Sequence, residues 1–363
     1  MTDRVSVFLG EGAAPEAMEP VVALLDSFCA DLDVHVPPVA PHADDLADWD
    51  VPDDITDAIH DADAVLFGAA QGAGAGGVYM PILKYLRNDL GGGLPANVRP
   101  VRYYEGAASP LADPAGIDYA IVRENLEGAY VGKGGIEGDL NELRAMAVVN
   151  DEVSEAIADY GAGAYALRIV TEANVRRLAA IVCEFAASHF QHRPVTLTCA
   201  TKSNILDVTD GCFDAVLEDA VADSDVVDFS HLHVDNAGAL LVSDPQRFDL
   251  VVTTNAPGDI LSDVGVATVG GLGLAPSGVY GEDVAYFEPV HGTAPDIAGE
   301  GIINPTASVL SAVMLLRHLG RRDEADRLEM AVERVYAAGE TLTPDQGGSA
   351  STTEMVDAFA REL

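Results

Sequence analysis

The chain carries three lysines, Lys84, Lys133 and Lys202, against seventeen arginines. A sequence that has nearly exchanged lysine for arginine keeps one lysine directly after an apolar run. That lysine is Lys202, in Ala200-Thr201-Lys202-Ser203-Asn204, following Val195–Cys199. A guanidinium does not release its proton near neutral pH, whereas an ammonium does when burial or a nearby cation lowers its pKa. Lys202 therefore suits proton transfer. The competing reading is an ordinary salt bridge to one of the many acids.

Three arginines stand beside segments that read as strands or helices. Arg87 sits late in a helical pattern, and Arg99 precedes Pro100 at the start of a strand. Arg123 ends the apolar run Ile117–Val122 and is followed by Glu124-Asn125. An arginine after an apolar strand points off the sheet's carboxyl edge, where ligands bind in open α/β folds. Convergent guanidinium forks suit a small dicarboxylate; surface ion pairs are the alternative. Asp259 and Asp263 lie four apart in Asn255–Asp263, at another strand-to-helix passage. Such spacing is common in so acidic a chain and proves little alone. At a ligand edge, however, two hard oxygen donors suit Mg²⁺ or Mn²⁺.

Two glycine-rich turns bear on cofactor binding. Gly10-Glu11-Gly12 has Pro15 where a dinucleotide fingerprint needs its third glycine, so it reads as a tight turn between strand and helix. Gly68–Gly77 has no Walker spacing and reads as a lip over a cleft. The stretch from Glu288 to Gly299 mixes Gly, Pro, His and Asp after a strand. An aspartate there would accept the hydroxyls of an adenosine ribose and repel a 2′-phosphate.

Periodicity predicts the elements that hold these residues. Strands are expected at Val5–Leu9, Ala64–Phe67, Val98–Tyr104, Tyr119–Arg123, Val195–Cys199, Leu250–Thr253 and Val284–Phe287. Helices are expected at Pro15–Ala30, Val78–Leu90, 174–190, Thr209–Ala222, Asp259–Leu272, Asn304–Leu319, Arg321–Ala338 and Thr352–Leu363. The alternation implies an α/β fold with a largely parallel core sheet. At 363 residues, about two domains are expected.

Net charge narrows the partners. Twenty basic residues oppose 59 acidic ones, giving −39, spread along the chain and not gathered in a tail. Nucleic acid and anionic membranes are excluded by repulsion. Acid-rich, lysine-poor composition fits a cytosol at high salt, where screening tolerates self-repulsion. No signal peptide is apparent, and the longest apolar stretch, Ile302–Leu316, is interrupted by polar residues and reads as a buried helix. The four cysteines show no metal spacing and read as reduced thiols.

The motifs together resemble the β-decarboxylating dehydrogenases of isocitrate, 3-isopropylmalate and tartrate/D-malate. The resemblance rests on Leu86-Arg87, Ala96–Val101, Val122–Asn125 with Glu127-Gly128 and Tyr130, Thr201–Asn204, Gly258–Asp263, Gly271–Ser277, and Glu288–Ile297 with Asn304-Pro305. It implies an isopropylmalate dehydrogenase-like fold: two domains, a mixed sheet flanked by helices, and not a Rossmann fold. One domain would join 1–100 with 255–363. The other, 101–254, would carry an arm near 135–170 that clasps a second subunit, giving a homodimer or a tetramer of such dimers.

By resemblance, Arg87, Arg99 and Arg123 would hold the malate carboxylates, Tyr130 would protonate the enol, and Lys202 would relay the hydroxyl proton. Asp259 and Asp263 would bind the divalent metal, with Asp235 arriving from the other subunit. NAD would be held by Glu288, His291, Gly292, Thr293, Ala294, Pro295, Asp296, Ile297 and Asn304. Leu83, one helical turn before Arg87, favours an apolar substituent on the substrate and hence 3-isopropylmalate, converted to 2-oxoisocaproate. Tartrate/D-malate and isocitrate/homoisocitrate are the alternative substrates, and a non-catalytic regulatory relative is the alternative class. The sequence departs from the family at Glu11, Ala13 and Ala14 in the N-terminal turn, at Leu126 and at Pro257.

Overall fold

The computed structural model describes residues 2–39, 51–71, 77–130, 136–139, 162–190 and 194–363. Ten strands form one sheet. They are β1 (Asp3–Gly10), β2 (Leu32–His35), β3 (Ala64–Ala69), β4 (Ala96–Arg102), β5 (Asp118–Glu124), β8 (Val195–Thr201), β9 (Val227–His233), β10 (Leu250–Thr253), β11 (Pro276–Tyr280) and β12 (Ala285–Pro289). Their order across the sheet is β2-β1-β3-β12-β11-β4-β5-β10-β8-β9. β6 (Ile136–Asp139) and β7 (Ala162–Tyr165) form a separate antiparallel pair. That pair closes the two ends of the expected arm; the segment between them lies outside the described residues.

The sheet is mixed, which corrects the largely parallel sheet read from the alternation. β2, β1, β3 and β12 run parallel, as do β5, β10, β8 and β9. Between the groups, β11 is antiparallel to β12 and β4, and β4 is antiparallel to β5. The strands β5, β10, β8 and β9 all come from residues 118–253, while the rest come from the two ends of the chain.

Ten helices flank the sheet among the described residues: α1 (Ala14–Phe28), α2 (Asp53–His60), α3 (Met80–Asn88), α4 (Glu172–His189), α5 (Thr209–Val221), α6 (Val234–Ser243), α7 (Asn255–Ala267), α8 (Thr306–His318), α9 (Arg322–Ala338) and α10 (Thr352–Arg361). The apolar run near residue 310 is α8, almost wholly buried across the sheet. Among the described residues, no helix is long and apolar enough to cross a membrane. All four cysteines are free thiols; Cys29 and Cys199 are buried, and Cys183 and Cys212 partly so.

Strand alternation sorts the side chains. On β4 and β5, Val101, Tyr119 and Ile121 join Val251, Leu261 and Val266 in a core under α7. Val98, Ala120 and Val122 enter the larger core on the opposite face. Arg99 and Arg123 share the parity of the first group, so both emerge beneath α7.

α7 begins at Asn255, four residues before the predicted start at Asp259. Pro257 falls in the first turn, where its missing N–H costs no helical bond. Gly258 then lets the helix lie on β5: a Cβ there would come within 2.7 Å of the Arg123 Cβ and 3.0 Å of its Cα.

Candidate active site

Four parallel strands deliver the site residues at one edge. β5 ends at Arg123-Glu124, β10 leads into α7, β8 leads into Lys202, and β9 leads through His233 into α6 with Asp235. Because β5, β10, β8 and β9 run the same way, these carboxyl ends lie side by side. β4 runs opposite and brings Asn97 across from Arg123, with Arg99 one step further.

Two of the three arginines, Arg99 and Arg123, converge on Asp259. Arg99 lies 3.3 Å from the Asp259 Oδ1 and 3.8 Å from the Asp263 Oδ1. Arg123 donates to the same Asp259 oxygen. Both guanidiniums are buried and held from behind. Arg123 donates through Nε and Nη2 to Asn255 Oδ1 at 3.0 and 2.8 Å. Arg99 donates to Ser262 at 2.7 Å and to Asn97 at 3.4 Å. Burial, then the Arg99 charge, pushes the Arg123 pKa down to about 10; Asp259 works against that, and Arg87 adds to it. Arg87 donates to Glu288 at 3.3 Å and to the Tyr286 hydroxyl at 3.5 Å. Its pKa is raised, chiefly by Tyr286, then by Glu288 against the effect of burial.

Tyr130 stands at the open side, 53% exposed. The Arg123 guanidinium lies 5.7 Å from its ring centroid, and its hydroxyl donates to the Asp259 Oδ2 at 3.4 Å. The Asp263 carboxyl is raised by partial burial, with Arg99 opposing and Asp259 reinforcing. Asp259 is thus a counter-ion shared by two arginines. Substrate carboxylates can take over those guanidiniums and leave two aspartate oxygens on one helix face for a cation.

Lys202 and Asp235 form a second centre. Their side chains pair at 2.6 Å, both partly exposed. The lysine hydrogen bond holds the Asp235 carboxyl below the usual carboxylate range. Asp235 does not join Asp259 and Asp263 within the chain: among the described residues no three acidic, histidine or cysteine side chains gather as a metal centre.

The segment from Glu288 to Gly299 is built against the first glycine turn. Gly12 has a φ of +62°, and a Cβ on it would meet the Thr293 carbonyl at 2.3 Å; the Ala13 N–H donates to that carbonyl at 2.8 Å. Glu16 accepts the N–H groups of Gly299 and Gly301 at 2.5 and 2.6 Å. Glu11, one of the family departures, accepts from Gln71 at 2.7 Å and from Val78 at 2.5 Å. Those two residues are the shoulders of the Gly68–Gly77 lip, whose centre, 72–76, lies outside the described residues. Ala294 is the only non-glycine residue at positive φ, +43°, among the described residues. Such strain persists only where surroundings enforce it, and often at ligand sites.

These residues fit a dinucleotide. The buried Nε2 of His291 has no partner among the described residues, and Asp296 is exposed in the short turn Pro295–Ile297. Glu288 is turned toward Arg87 and Tyr286. Asn304 is buried, with its amide donating to Asp345 and Tyr336 and its carbonyl accepting from Thr306, so it anchors the start of α8.

Sequence reasoning missed the residues that hold the arginines: Asn97, Asn255, Ser262 and Tyr286. Their only signal was proximity to a strand's end. It also missed β9 and α6, which place Asp235.

The site gathers two buried arginines and two aspartates at the carboxyl ends of parallel strands of a mixed α/β sheet. The family model for isocitrate/isopropylmalate dehydrogenase matches residues 4–359. The chain is 36% identical to the 3-isopropylmalate/3-methylmalate dehydrogenase of Methanocaldococcus jannaschii, over 99% of this chain and 98% of that protein. It is 37% identical to the isocitrate/homoisocitrate dehydrogenase of Thermus thermophilus, over 100% and 99%. The crystal structure of isocitrate dehydrogenase from Methylococcus capsulatus superposes with a TM-score of 0.81 at 29% identity, covering 99% of both chains. The chain belongs to the isocitrate/isopropylmalate dehydrogenase family and is a decarboxylating dehydrogenase.

Proposed function

We propose that the protein oxidises and decarboxylates a 3-substituted malate with NAD⁺ and Mg²⁺ or Mn²⁺, and that its substrate is 3-isopropylmalate. The observation that carries the substrate is Leu83. It lies half-buried on α3 one turn before Arg87, so an apolar surface borders the arginine cluster. A third substrate carboxylate against Leu83 would be desolvated without a partner, at a cost of about 1–3 kcal/mol or more. An isopropyl group loses nothing there.

In the reaction, Arg99 and Arg123 exchange Asp259 for the substrate carboxylates, with Arg87 beside them. Asn255, Asn97 and Ser262 keep those guanidiniums aimed, so little reordering accompanies binding. Lys202 takes the proton of the 2-hydroxyl as hydride leaves C2. Tyr130 returns a proton to the enol carbon after loss of CO₂. Asp259 and Asp263, joined by Asp235, would hold the divalent cation, which supplies Lewis-acid polarisation of the 2-oxygen when bound. His291 and the 291–304 segment would hold the adenosine half of NAD⁺. Asp296 there favours the ribose diol and repels a 2′-phosphate.

Asp235 and Lys202 serve the site of a second copy, which makes the homodimer the catalytic unit. Exposed apolar residues support this: Ile260 on α7 is 64% exposed and Val242 on the neighbouring α6 is 47% exposed. Such surface on two packed helices suits a self-complementary contact. The two lobes divide at 1–100 with 255–363 against 101–254. The −39 charge suits a high-salt cytosol.

The test is initial-rate measurement in multimolar salt with 3-isopropylmalate, D-malate, D-tartrate, isocitrate and homoisocitrate, each with NAD⁺ and NADP⁺. The highest kcat/KM is expected for 3-isopropylmalate with NAD⁺. A higher value for isocitrate or homoisocitrate would reassign the pocket, and comparable values for both cofactors would remove Asp296 from cofactor choice.

A further inference from the structure

Arg168 lies in none of the motifs that define the site, yet three of the site's loops meet on it. Its guanidinium pairs with Asp210, in the first turn of α5. Asp210 is 1% exposed, and its other oxygen accepts the backbone N–H of Lys202 at 2.7 Å. The same guanidinium nitrogen of Arg168 donates to the Thr254 hydroxyl at 3.1 Å. Thr254 is the N-cap residue of α7, but its side chain makes no capping bond; it is turned to Arg168 instead. The next residue, Asn255, forks Arg123. On the main chain, Ile169 bridges Gly128 in both directions, at 2.8 and 3.3 Å, two residues before Tyr130.

One side chain thus connects the Lys202 turn to the start of the Asp259 helix, while its neighbour pins the Tyr130 loop. We propose that Arg168, acting with Asp210, is a positioning residue that fixes the Lys202 backbone against the start of α7, so that Lys202 is presented in register to the centre of the second copy it serves. It touches no reacting atom. The proposal rests on Lys202 being the proton relay. A displacement of about 1 Å in such a group costs on the order of a hundredfold in rate. Arginine suits the place because its Nη2 carries two N–H donors, one for the carboxylate and one for the hydroxyl.

The experiment uses the whole chain, with the substrate that turns over best among 3-isopropylmalate, D-malate and isocitrate. Arg168→Gln should lower kcat by about 10- to 100-fold, with the KM for that substrate within about threefold and a cooperative thermal melt. Arg168→Lys should recover part of that loss. Should the single variant fail to fold because Asp210 is left buried and unpaired, Arg168→Gln with Asp210→Asn removes both charges and carries the same expectation. Added to Lys202→Ala, Arg168→Gln should cause little further loss in single-turnover NADH formation, because its effect passes through Lys202. Additive losses, or near-normal kcat in Arg168→Gln beside an inactive Lys202→Ala, overturn the clamp and leave the relay standing. Near-normal turnover in Lys202→Ala removes the relay and the clamp with it.

Discussion

The arginine–Asp259 centre and the Lys202–Asp235 pair are built differently. The first is buried and complete: each guanidinium is anchored by neutral side chains and faces Asp259, with Asp263 also beside Arg99. The second is partly exposed, and its two charges are paired with each other. A centre that must recognise carboxylates gains from fixed dipoles. A lysine that must exchange protons needs an open approach and a partner it can leave. Under the proposed function, the contrast means that the chain would preorganise substrate binding internally and leave proton transfer to be completed by what docks against Lys202.

The largest effect expected from breaking the contrast is at Lys202. Lys202→Arg keeps the charge and the pair with Asp235, but guanidinium will not release its proton. Turnover should fall by about 10²- to 10⁴-fold with an unchanged melt. Near-normal single-turnover NADH formation would show that Lys202 is a salt bridge and reopen a non-catalytic role for the pair. Tyr130→Phe should fall less, by about 10- to 100-fold. It keeps the ring beside Arg123 and loses only the hydroxyl, so protonation of the enol should slow more than hydride transfer. Equal slowing of both steps would move the acid elsewhere.

Assembly sharpens the same comparison. If the second centre completes a neighbour's site, separating the copies must remove activity while the first centre still binds dicarboxylate. Lowering the salt unscreens −39 charges on each chain and should dissociate the dimer. Light scattering beside activity checks this, and an active monomer at any salt would overturn the shared site.

How much of this was legible follows from what each element's residues encode. Lys202 and Arg123 were legible because each follows an apolar run, and an apolar run fixes where a strand delivers its last residue; Arg99 instead lies in the middle of β4 and Asp259 inside α7. The sheet's mixed direction came only from the family resemblance, since an apolar strand reads alike in either sense. β11 was hidden by opening with Pro276-Ser277-Gly278. β9 was hidden because Val-Asp-Phe-Ser-His-Leu-His is an edge strand with polar faces, so Asp235 came only from family resemblance. Pro257-Gly258 reads as a turn, yet it opens a helix. That misreading concealed Asn255, the anchor of Arg123.

Gly258 offers a test of the buried centre that leaves every charged group in place. In Gly258→Ala, the new Cβ meets backbone and the first side-chain carbons of Arg123, none of which can swing away. α7 must back off by a few tenths of an ångström, and Asn255 and Asp259 move with it. Overpacking of this kind costs about 1–3 kcal/mol. The urea midpoint should drop accordingly, and the dicarboxylate KM should rise more than kcat falls. An unchanged midpoint would mean that the helix has slack and that the centre is less rigid than its contacts imply.

The smallest effect concerns the pocket's apolar border. Leu83→Ser removes the side chain from a half-buried position one turn before Arg87 and adds a hydroxyl. It touches neither centre, so the rate of a substrate without a large substituent, such as D-malate, should hold within about twofold. For 3-isopropylmalate, the lost contact is one branched aliphatic group, and a methylene or two in such a pocket is worth about 1–3 kcal/mol. Its kcat/KM should therefore fall about tenfold, mostly through KM, because the isopropyl contact is made equally in ground and transition states. The same hydroxyl offers a donor to a third carboxylate, so isocitrate should gain relative to 3-isopropylmalate. If both substrates lose equally, Leu83 supports the helix that carries Arg87 and does not read the substituent, and specificity must lie on another wall of the cleft.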